Sequence, residues 1–295
     1  MYHRVHASHV RGWMATDGLN TPLDQFEQHI EALQRNNFRI VSPHQFFDNA
    51  SRGQKILITV DDAYREIYTE LFPVLLERAI PVLLFVPTAH LRARAIYPFF
   101  LFESLERAVN EGQGLARNLW QGDLPNASKL YHEYRQRPME CLQTLGLARE
   151  PYQSEYLCSE GELKEMLDSG IVFLGSHTET HPYLPEVSAR SLKTEIMSSF
   201  ELLKERLGVC DRFLGYPFGG VDLRTMRFCR RHAVTGFTTI DSCNYRNARL
   251  GDTLIPRLSC ETLNQQELLD KIHGGFRVST QLRELFRVGV WNCFK

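Results

Sequence analysis

Short apolar runs alternate with amphipathic helical segments along most of this chain, and this alternation constrains its fold more than any other feature. The runs at 56–60 and 81–86 have the length of buried strands, and the segment between them carries leucines at helical spacing. Strands that alternate with crossover helices pair in parallel. Further strands are predicted at 2–5, 38–41, 171–175, 213–216, 234–239 and 254–258. The sequence therefore predicts an α/β fold with a parallel sheet.

Residues that cap helices mark where several of the helical segments begin. Thr21 followed by Pro22 predicts the N-cap and the first residue of a helix. Ser159 with Glu162 three residues later is typical of a capping box. Further predicted helices start at 42–43, at Ser188 (a long one that ends at 208), at 222 and at 264.

Two segments depart from the alternation. Residues 88–157 are too long for a plain connection and are predicted to form a largely helical insertion. Their aromatic residues could wall a sugar site, although a buried insertion core is the favoured interpretation: Tyr97, Phe99, Phe100 and Phe102. Residues 276–295 are predicted to form a helical tail that packs on the main domain at 1–275, with contact to a membrane surface as the less favoured alternative.

Composition excludes several classes of protein. The 295 residues carry a formal net charge of −1, so bulk attraction for nucleic acid is not expected. The seven cysteines are scattered, odd in number and without a Cys-x-x-Cys pair, which argues against a disulfide framework and against a thiolate zinc site. The first residues lack the apolar core of a signal peptide, and no apolar run is long enough to span a membrane. A cytoplasmic location is therefore expected.

Asp61 and Asp62 directly follow the predicted strand at 56–60. Two adjacent carboxylates are costly unless a cation lies nearby, because like charges at this separation raise one of the two pKa values. One interpretation is that one aspartate binds a metal ion and the other acts as a base. The alternative, which this stretch alone favours, is a turn at the end of the strand with an aspartate N-cap for the next helix.

His177 and His181 follow the predicted strand at 171–175. Two histidines at this spacing converge on one cation if the segment forms a helical turn, and two imidazoles with one carboxylate are a common open zinc site. The alternative is two solvated loop histidines. The placement favours a shared site, since the carboxyl ends of all strands of a parallel barrel face the same mouth.

A third motif, Tyr216-Pro217-Phe218-Gly219, follows the strand at 213–216. Glycine after Pro-Phe permits a tight loop with exposed backbone N–H groups, which could face a developing oxyanion. An ordinary Pro-Gly turn is the alternative.

Together the three motifs resemble those of the polysaccharide deacetylase family, also called the NodB-homology or carbohydrate esterase 4 family. The resemblance lies in Thr-Val-Asp-Asp-Ala at 59–63, in His-Thr-x-x-His-Pro at 177–182 and in Tyr-Pro-Phe-Gly at 216–219. It implies a distorted (β/α)7-type barrel over residues 1–275. It also implies that Asp61 is the catalytic base. The implied ligands of a divalent metal ion, expected to be Zn²⁺, are Asp62, His177 and His181. The implied oxyanion and substrate loop is Tyr216, Pro217 and Phe218, with the Phe218 N–H at the oxyanion.

The chain departs from the usual family pattern at two positions. Gly215 stands where many members have an arginine, and no late Leu-x-His motif supplies the general acid; His273, in a predicted helix, is a poor substitute. A subgroup similar to the poly-N-acetylglucosamine deacetylases has a permuted barrel with that histidine near the N-terminus, and the segment at 2–5 resembles it. His3 is therefore the candidate acid, with a frayed terminal histidine as an equal alternative. No acidic partner for it is identified, because Asp241 reads as a loop residue.

The resemblance implies a metal-dependent hydrolase that removes N-acetyl groups from an amino sugar in a polysaccharide or glycan precursor. Two alternatives remain open. One is a deformylase-like hydrolase of another sugar C–N bond, which would share the site and differ in the pocket. The other is a catalytically inactive glycan-binding or assembly protein on the same fold.

Overall fold

The computed structural model describes residues 1–7, 19–48, 53–92, 97, 156–240 and 251–274. In these ranges the strands are β1 (Arg4–His6), β2 (Asn20–Pro22), β3 (Arg39–Ile40), β4 (Lys55–Ile56), β5 (Ile58–Val60), β6 (Val82–Val86), β7 (Val172–Ser176), β8 (Phe213–Gly215) and β9 (Thr235–Phe237). The α-helices are α1 (Leu23–Arg35), α2 (Pro43–Phe47), α3 (Phe72–Glu77), α4 (Glu160–Asp168), α5 (Ala189–Lys193), α6 (Ser199–Leu207), α7 (Leu223–Arg231) and α8 (Gln265–His273).

A five-stranded sheet forms the centre of the molecule, with all strands parallel and in chain order from β5 to β9. The pairing of β6 with β7 is the longest, from Val82 opposite Val172 to Val86 opposite Ser176. Every residue of β6 is buried, as expected for a strand covered on both faces. The parallel α/β architecture predicted from the alternation of strands and helices is confirmed.

Single residue pairs extend this sheet at both edges. Tyr2 pairs in parallel with Val60, and Ile255 pairs in parallel with Phe237. The two edges meet where the backbone N–H of Cys260 donates to the carbonyl of Met1 at 3.2 Å. The sheet therefore curls into a distorted barrel whose seam lies between the N-terminal segment and the segment that follows β9.

Several predicted boundaries are corrected by long-range pairing. The predicted strand at 254–258 is reduced to the single bridge at Ile255, because the next N–H on that side, that of Arg257, donates to the Ile240 carbonyl and does not continue the ladder at Thr238. The predicted strand at 56–60 is two strands, since β4 pairs with β3 and β5 pairs with β6. The helix expected to begin at Thr21 begins at Leu23, because β2 pairs with β1.

The capping predictions are confirmed at the helices that flank the site. Ser159 and Glu162 form a reciprocal capping box at the start of α4. The long helix predicted after Ser188 contains α5, a π-helical turn at Thr194–Ser198 and α6. It ends at Gly208, which has the left-handed conformation (φ 72°) typical of a C-terminal cap.

Aromatic side chains fill the interior of the barrel, with Phe85, Phe213 and Phe237 in one buried cluster. Tyr97 is fully buried and donates its hydroxyl to the Pro87 carbonyl at 3.1 Å, which agrees with a core role. The rest of the predicted insertion, including Phe99, Phe100 and Phe102, lies outside the described residues, as does the predicted tail at 276–295. Among the described residues, no helix combines the length and the apolar character needed to cross a lipid bilayer.

Candidate active site and metal centre

Asp61 and Asp62 lie at the carboxyl end of β5, and both are almost completely buried. The chain turns sharply after the strand, with positive φ angles at Asp62 (69°) and Ala63 (54°). Non-glycine residues adopt this conformation at a cost, and clusters of them are typical of functional sites. Here the turn directs both carboxylates into the mouth of the barrel, in place of the helix cap that was the alternative interpretation.

His177 follows β7 directly, and His181 approaches it through the loop. The Nδ1–H of His177 donates to the Gly215 carbonyl at 2.8 Å, which leaves Nε2 with its lone pair toward the mouth. The loop is not the helical turn considered from the spacing. Instead, left-handed residues at Thr178 (φ 66°) and His181 (φ 57°) bring the two rings together, with 4.6 Å between their centroids.

Asp62, His177 and His181 form a group that fits a divalent cation. Their ligand atoms all lie within 4.8 Å of one another, and Asp62 Oδ1 is 3.4 Å from His177 Nε2 and 3.3 Å from His181 Nε2. Ligand atoms that share one tetrahedral zinc ion at about 2.1 Å lie roughly 3.4 Å apart. Asp62 Oδ1 is buried and makes no hydrogen bond of acceptable geometry among the described residues, although both imidazole nitrogens lie close to it. This is the state expected of a carboxylate oxygen that binds a cation.

The charge of Asp62 also suits a cation. Burial alone would raise its pKa, but the imidazoles of His177 and His181 outweigh burial and hold the pKa well below its ordinary value. The carboxyl group is therefore ionised, as a metal ligand must be.

Asp61 lies beside this group and is bound by an arginine. Nη1 and Nη2 of Arg257 donate to its two carboxylate oxygens at 2.5 Å and 2.8 Å. Its Oδ2 lies 3.8 Å from His177 Nε2. Burial would raise the pKa of Asp61, but the charge of Arg257, followed by His177, lowers it overall. Asp61 is thus an ionised carboxylate at the edge of the candidate metal group.

His3 faces Asp61 from the barrel seam. Its Nδ1–H donates to Glu261 Oε1 at 2.7 Å, and its Nε2 lies 3.9 Å from Asp61 Oδ2. Burial alone would lower the pKa of His3, but the hydrogen bond and charge of Glu261, with the two aspartates, raise it to about 9. The neighbouring pairing of Tyr2 with Val60 fixes this segment, so His3 is not the frayed terminal residue of the alternative interpretation.

Arg257 and Glu261 were not identified from the sequence. Both residues follow Ile255, which extends the sheet at its last edge. Their position just after the last predicted strand was the sequence feature that could have identified them. In the usual family pattern the arginine stands at the position that Gly215 occupies in this chain. A Cβ at Gly215 would lie 2.9 Å from the ring of Phe85 and 3.0 Å from His177 Nδ1, so no larger side chain fits there. Asp241, the other acidic residue considered, lies outside the described residues.

The third motif forms a turn at the edge of the mouth. Pro217–Gly219 is a short 3-10 turn in which Phe218 has a positive φ of 56°. The Phe218 side chain is 41 % exposed, and its ring centroid lies 4.7 Å from that of His181. The Tyr216 side chain is fully buried and donates its hydroxyl to the Thr253 carbonyl at 2.7 Å, so its phenol belongs to the core. His273 lies in α8 against Phe38.

The solved structures to which the chain is similar in fold include proteins described as deacetylases. The chain is similar to the Streptococcus pyogenes deacetylase PplD in complex with acetate, at a TM-score of 0.63 and 18% identity, covering 92% of this chain and 95% of that one. It is also similar to the de-N-acetylase from Aggregatibacter actinomycetemcomitans, at a TM-score of 0.60 and 15% identity over 92% and 97% of the two chains. IcaB from Ammonifex degensii matches at a TM-score of 0.58 and 18% identity over 92% and 94%.

At the level of sequence, no functionally curated protein matches the chain significantly. The family model described as polysaccharide deacetylase matches residues 48–237, which is more than half of the chain. This range contains Asp61, Asp62, His177 and His181 together with the turn at Pro217–Gly219. On this match, the chain belongs to the polysaccharide deacetylase family.

Proposed function

We propose that this protein is a metal-dependent hydrolase that removes the N-acetyl group from an amino sugar in a polysaccharide or glycan precursor. One observation carries the proposal. A buried cluster with the donor atoms of a divalent metal site lies directly beside Asp61, an ionised carboxylate that is bound by Arg257 and is not part of the cluster. Metal-assisted hydrolysis of an amide requires a metal site and, beside it, an ionised base that is not itself a metal ligand.

Asp62, His177 and His181 would hold the cation, and one carboxylate with two imidazoles suits Zn²⁺. When bound, the ion would polarise the acetyl carbonyl and lower the pKa of a water molecule toward neutrality. The hydrogen bond from His177 Nδ1–H to the Gly215 carbonyl fixes the tautomer and the orientation of that ring.

Asp61 takes the proton of the attacking water. Arg257 contributes in two ways, since its two hydrogen bonds orient the carboxylate and its charge keeps Asp61 ionised near neutral pH. Arg257 Nε donates to the Thr238 carbonyl at 3.1 Å. This hydrogen bond fixes the guanidinium, and the guanidinium in turn fixes the orientation of Asp61.

His3 protonates the departing amine. With a pKa raised to about 9, mainly by Glu261 against the opposing effect of burial, the imidazole carries its proton near neutral pH. An amine is a poor leaving group until it is protonated, so an acid opposite the base is needed for C–N cleavage. His3 Nε2 lies 3.9 Å from Asp61 Oδ2, which supports an acid and a base that act on the same substrate group.

The turn at Pro217–Gly219 would receive the oxyanion and the sugar. The backbone N–H of Phe218 is assigned to the developing oxyanion, and the exposed Phe218 ring beside His181 offers a face for the substrate. Tyr216 and Pro217 set the course of this turn, with the Tyr216 hydroxyl anchored at Thr253. Support for an N-acetylated substrate also comes from two structural neighbours, a deacetylase in complex with acetate and a de-N-acetylase.

Acetate release from N-acetylglucosamine oligomers, with metal content measured on the same samples, tests the proposal. We expect release by the wild-type protein loaded with Zn²⁺ and a loss of about 10²–10⁴-fold in kcat for Asp61→Asn with metal content unchanged. Near-full turnover by Asp61→Asn would refute the assigned base. Bound metal without release from any acetylated glycan would favour a glycan-binding protein, whereas release of formate from N-formylated sugars alone would favour a deformylase.

A further inference from the structure

The loop between the two candidate metal-binding histidines is conformationally costly. Thr178 and His181 both have the left-handed backbone that non-glycine residues adopt rarely, with φ angles of 66° and 57°. Such residues persist where surrounding contacts fix the backbone. Since His181 is one of the two strained residues, whatever fixes this loop also fixes the position of the His181 imidazole.

Side chains within the loop fix its two ends. The backbone N–H of Thr178 donates to Ser176 Oγ at 2.9 Å, and the backbone N–H of His181 donates to Thr178 Oγ1 at 3.0 Å. Ser176 Oγ is in turn 2.5 Å from Ser199 Oγ, whose own hydroxyl is bonded to the Ile196 carbonyl. The start of the loop is thereby tied to the first turn of α6.

Glu195 fixes the middle of the loop. Its Oε2 accepts from the backbone N–H groups of Glu179 and Thr180 at 3.1 Å and 2.8 Å, and its Oε1 accepts from Thr180 Oγ1 at 2.7 Å. The backbone carbonyl of Glu195 also accepts from the Glu179 N–H at 3.0 Å. Both carboxylate oxygens of one side chain are thus committed to the two residues that precede His181.

The position of Glu195 depends on an irregularity in its helix. It lies in the π-helical turn Thr194–Ser198 that joins α5 to α6. A π turn adds one residue to the helix and changes the direction of the side chains that follow, and such turns are common at functional sites. Here the π turn lies in the part of the helix that contacts the loop at 178–181.

We propose that Glu195 is a positioning residue for the metal site, which sets the conformation of the loop at 178–181 and through it the geometry of His181. The proposal rests on the proposed function, in which Asp62, His177 and His181 hold a divalent cation. It assigns to Glu195 no contact with metal or substrate.

Titration of the metal-free protein with Zn²⁺ in the presence of a competing chelator tests this role. We expect Glu195→Ala to weaken Zn²⁺ binding about 10- to 100-fold, the range typical of residues that support metal ligands. Glu195→Gln should stay close to the wild type, because its amide oxygen still accepts from both backbone N–H groups and its NH2 can donate to Thr180 Oγ1. Glu201→Ala, on the exposed face of α6, is the matched control and should leave binding unchanged.

The outcomes separate the two proposals. A wild-type protein that binds no Zn²⁺ would overturn the metal site and the role of Glu195 together. Wild-type affinity in a folded Glu195→Ala variant would overturn only the role of Glu195. If Glu195→Ala does not fold, Thr180→Ala decides the question: it removes only the bond to Oε1 and should weaken Zn²⁺ binding several-fold, while unchanged affinity would reject the proposal.

Discussion

The guanidinium of Arg257 binds both carboxylate oxygens of Asp61 across 196 residues of sequence, at 2.5 Å and 2.8 Å. Each side chain is less than 5 % exposed, so each charge depends on the other for compensation. The pair orients Asp61 and sets its pKa with one contact. Loss of Arg257 should therefore change stability and pH dependence together.

For Arg257→Leu we expect a loss of about 3–5 kcal/mol in the free energy of unfolding at neutral pH, because it leaves a buried carboxylate without its partner. The pKa of Asp61 should rise, since burial is then less opposed. A base must be ionised to act, so the acidic limb of the kcat/KM profile should move to higher pH. Denaturant titration and the pH profile measure the two effects. An unchanged acidic limb in folded Arg257→Leu would show that Arg257 does not tune the base.

Glu261→Gln should move the alkaline limb of the kcat/KM profile. Burial lowers the pKa of His3, and without the hydrogen bond and charge of Glu261 it is opposed only by the two aspartates, so the pKa falls from about 9. An acid must be protonated to act, so activity that is lost as pH rises through this pKa should be lost at lower pH in the variant. A bound dication, which repels the imidazolium, lowers the pKa of His3 in both proteins, so the comparison is made between metal-loaded samples. Asp270→Asn, an exposed carboxylate on α8, is the matched control. Coincident alkaline limbs would exclude His3 as the acid.

Zn²⁺ should stabilise the folded chain through Asp62, His177 and His181. A ligand at 100 times its dissociation constant stabilises the native state by about 2.7 kcal/mol, and Tm rises accordingly. We expect this rise in the wild type and in Asp61→Asn, and none in His181→Ala. Chelation should reverse the rise and remove activity. A Tm of His181→Ala that rises with Zn²⁺ as in the wild type would place the metal elsewhere.

Gly215→Ala should destabilise the protein by about 1–3 kcal/mol, because the added Cβ collides with the ring of Phe85 and approaches His177. Zn²⁺ affinity should fall as well, since His177 is displaced from the Gly215 carbonyl. Gly161→Ala is the matched control: a Cβ at Gly161 meets no atom within 4 Å, and alanine stabilises a helix relative to glycine by up to about 1 kcal/mol. Thermal unfolding of the two variants distinguishes a packing collision from a general effect of added side chains.

The architecture of the site follows from local sequence to a large extent. Asp61, Asp62 and His177 directly follow strands, and His181 lies in the loop that continues from His177. Parallel strands bring such residues to one end of a sheet, so their proximity could be predicted before the structure. Their roles in catalysis and metal binding remain predictions. The position of His181 could not be predicted from its spacing to His177. A helical turn was considered, but the loop instead has Thr178 and His181 in the left-handed backbone conformation.

What the sequence could not reveal depends on contacts between distant segments. Arg257 was missed because the pattern of the family directs attention to Gly215, where Phe85 leaves no room for a side chain. Glu261 was missed because its partner His3 lies 258 residues away. The helix boundary at Leu23 depends on the pairing of β1 with β2, which no capping rule contains. Local propensity yields to such pairing wherever the ladder is completed by another part of the chain.

The barrel seam has a consequence for biosynthesis. His3 precedes the strands of the five-stranded sheet in the chain, whereas Arg257 and Glu261 follow them. The candidate acid therefore lacks its partner Glu261 until all five strands have been synthesised, and the candidate site can assemble only when the seam closes. Contacts of this sequence separation slow folding, because the long loop between them must be ordered first. The candidate acid and its partner Glu261 can therefore meet only after the last strand of the sheet is in place.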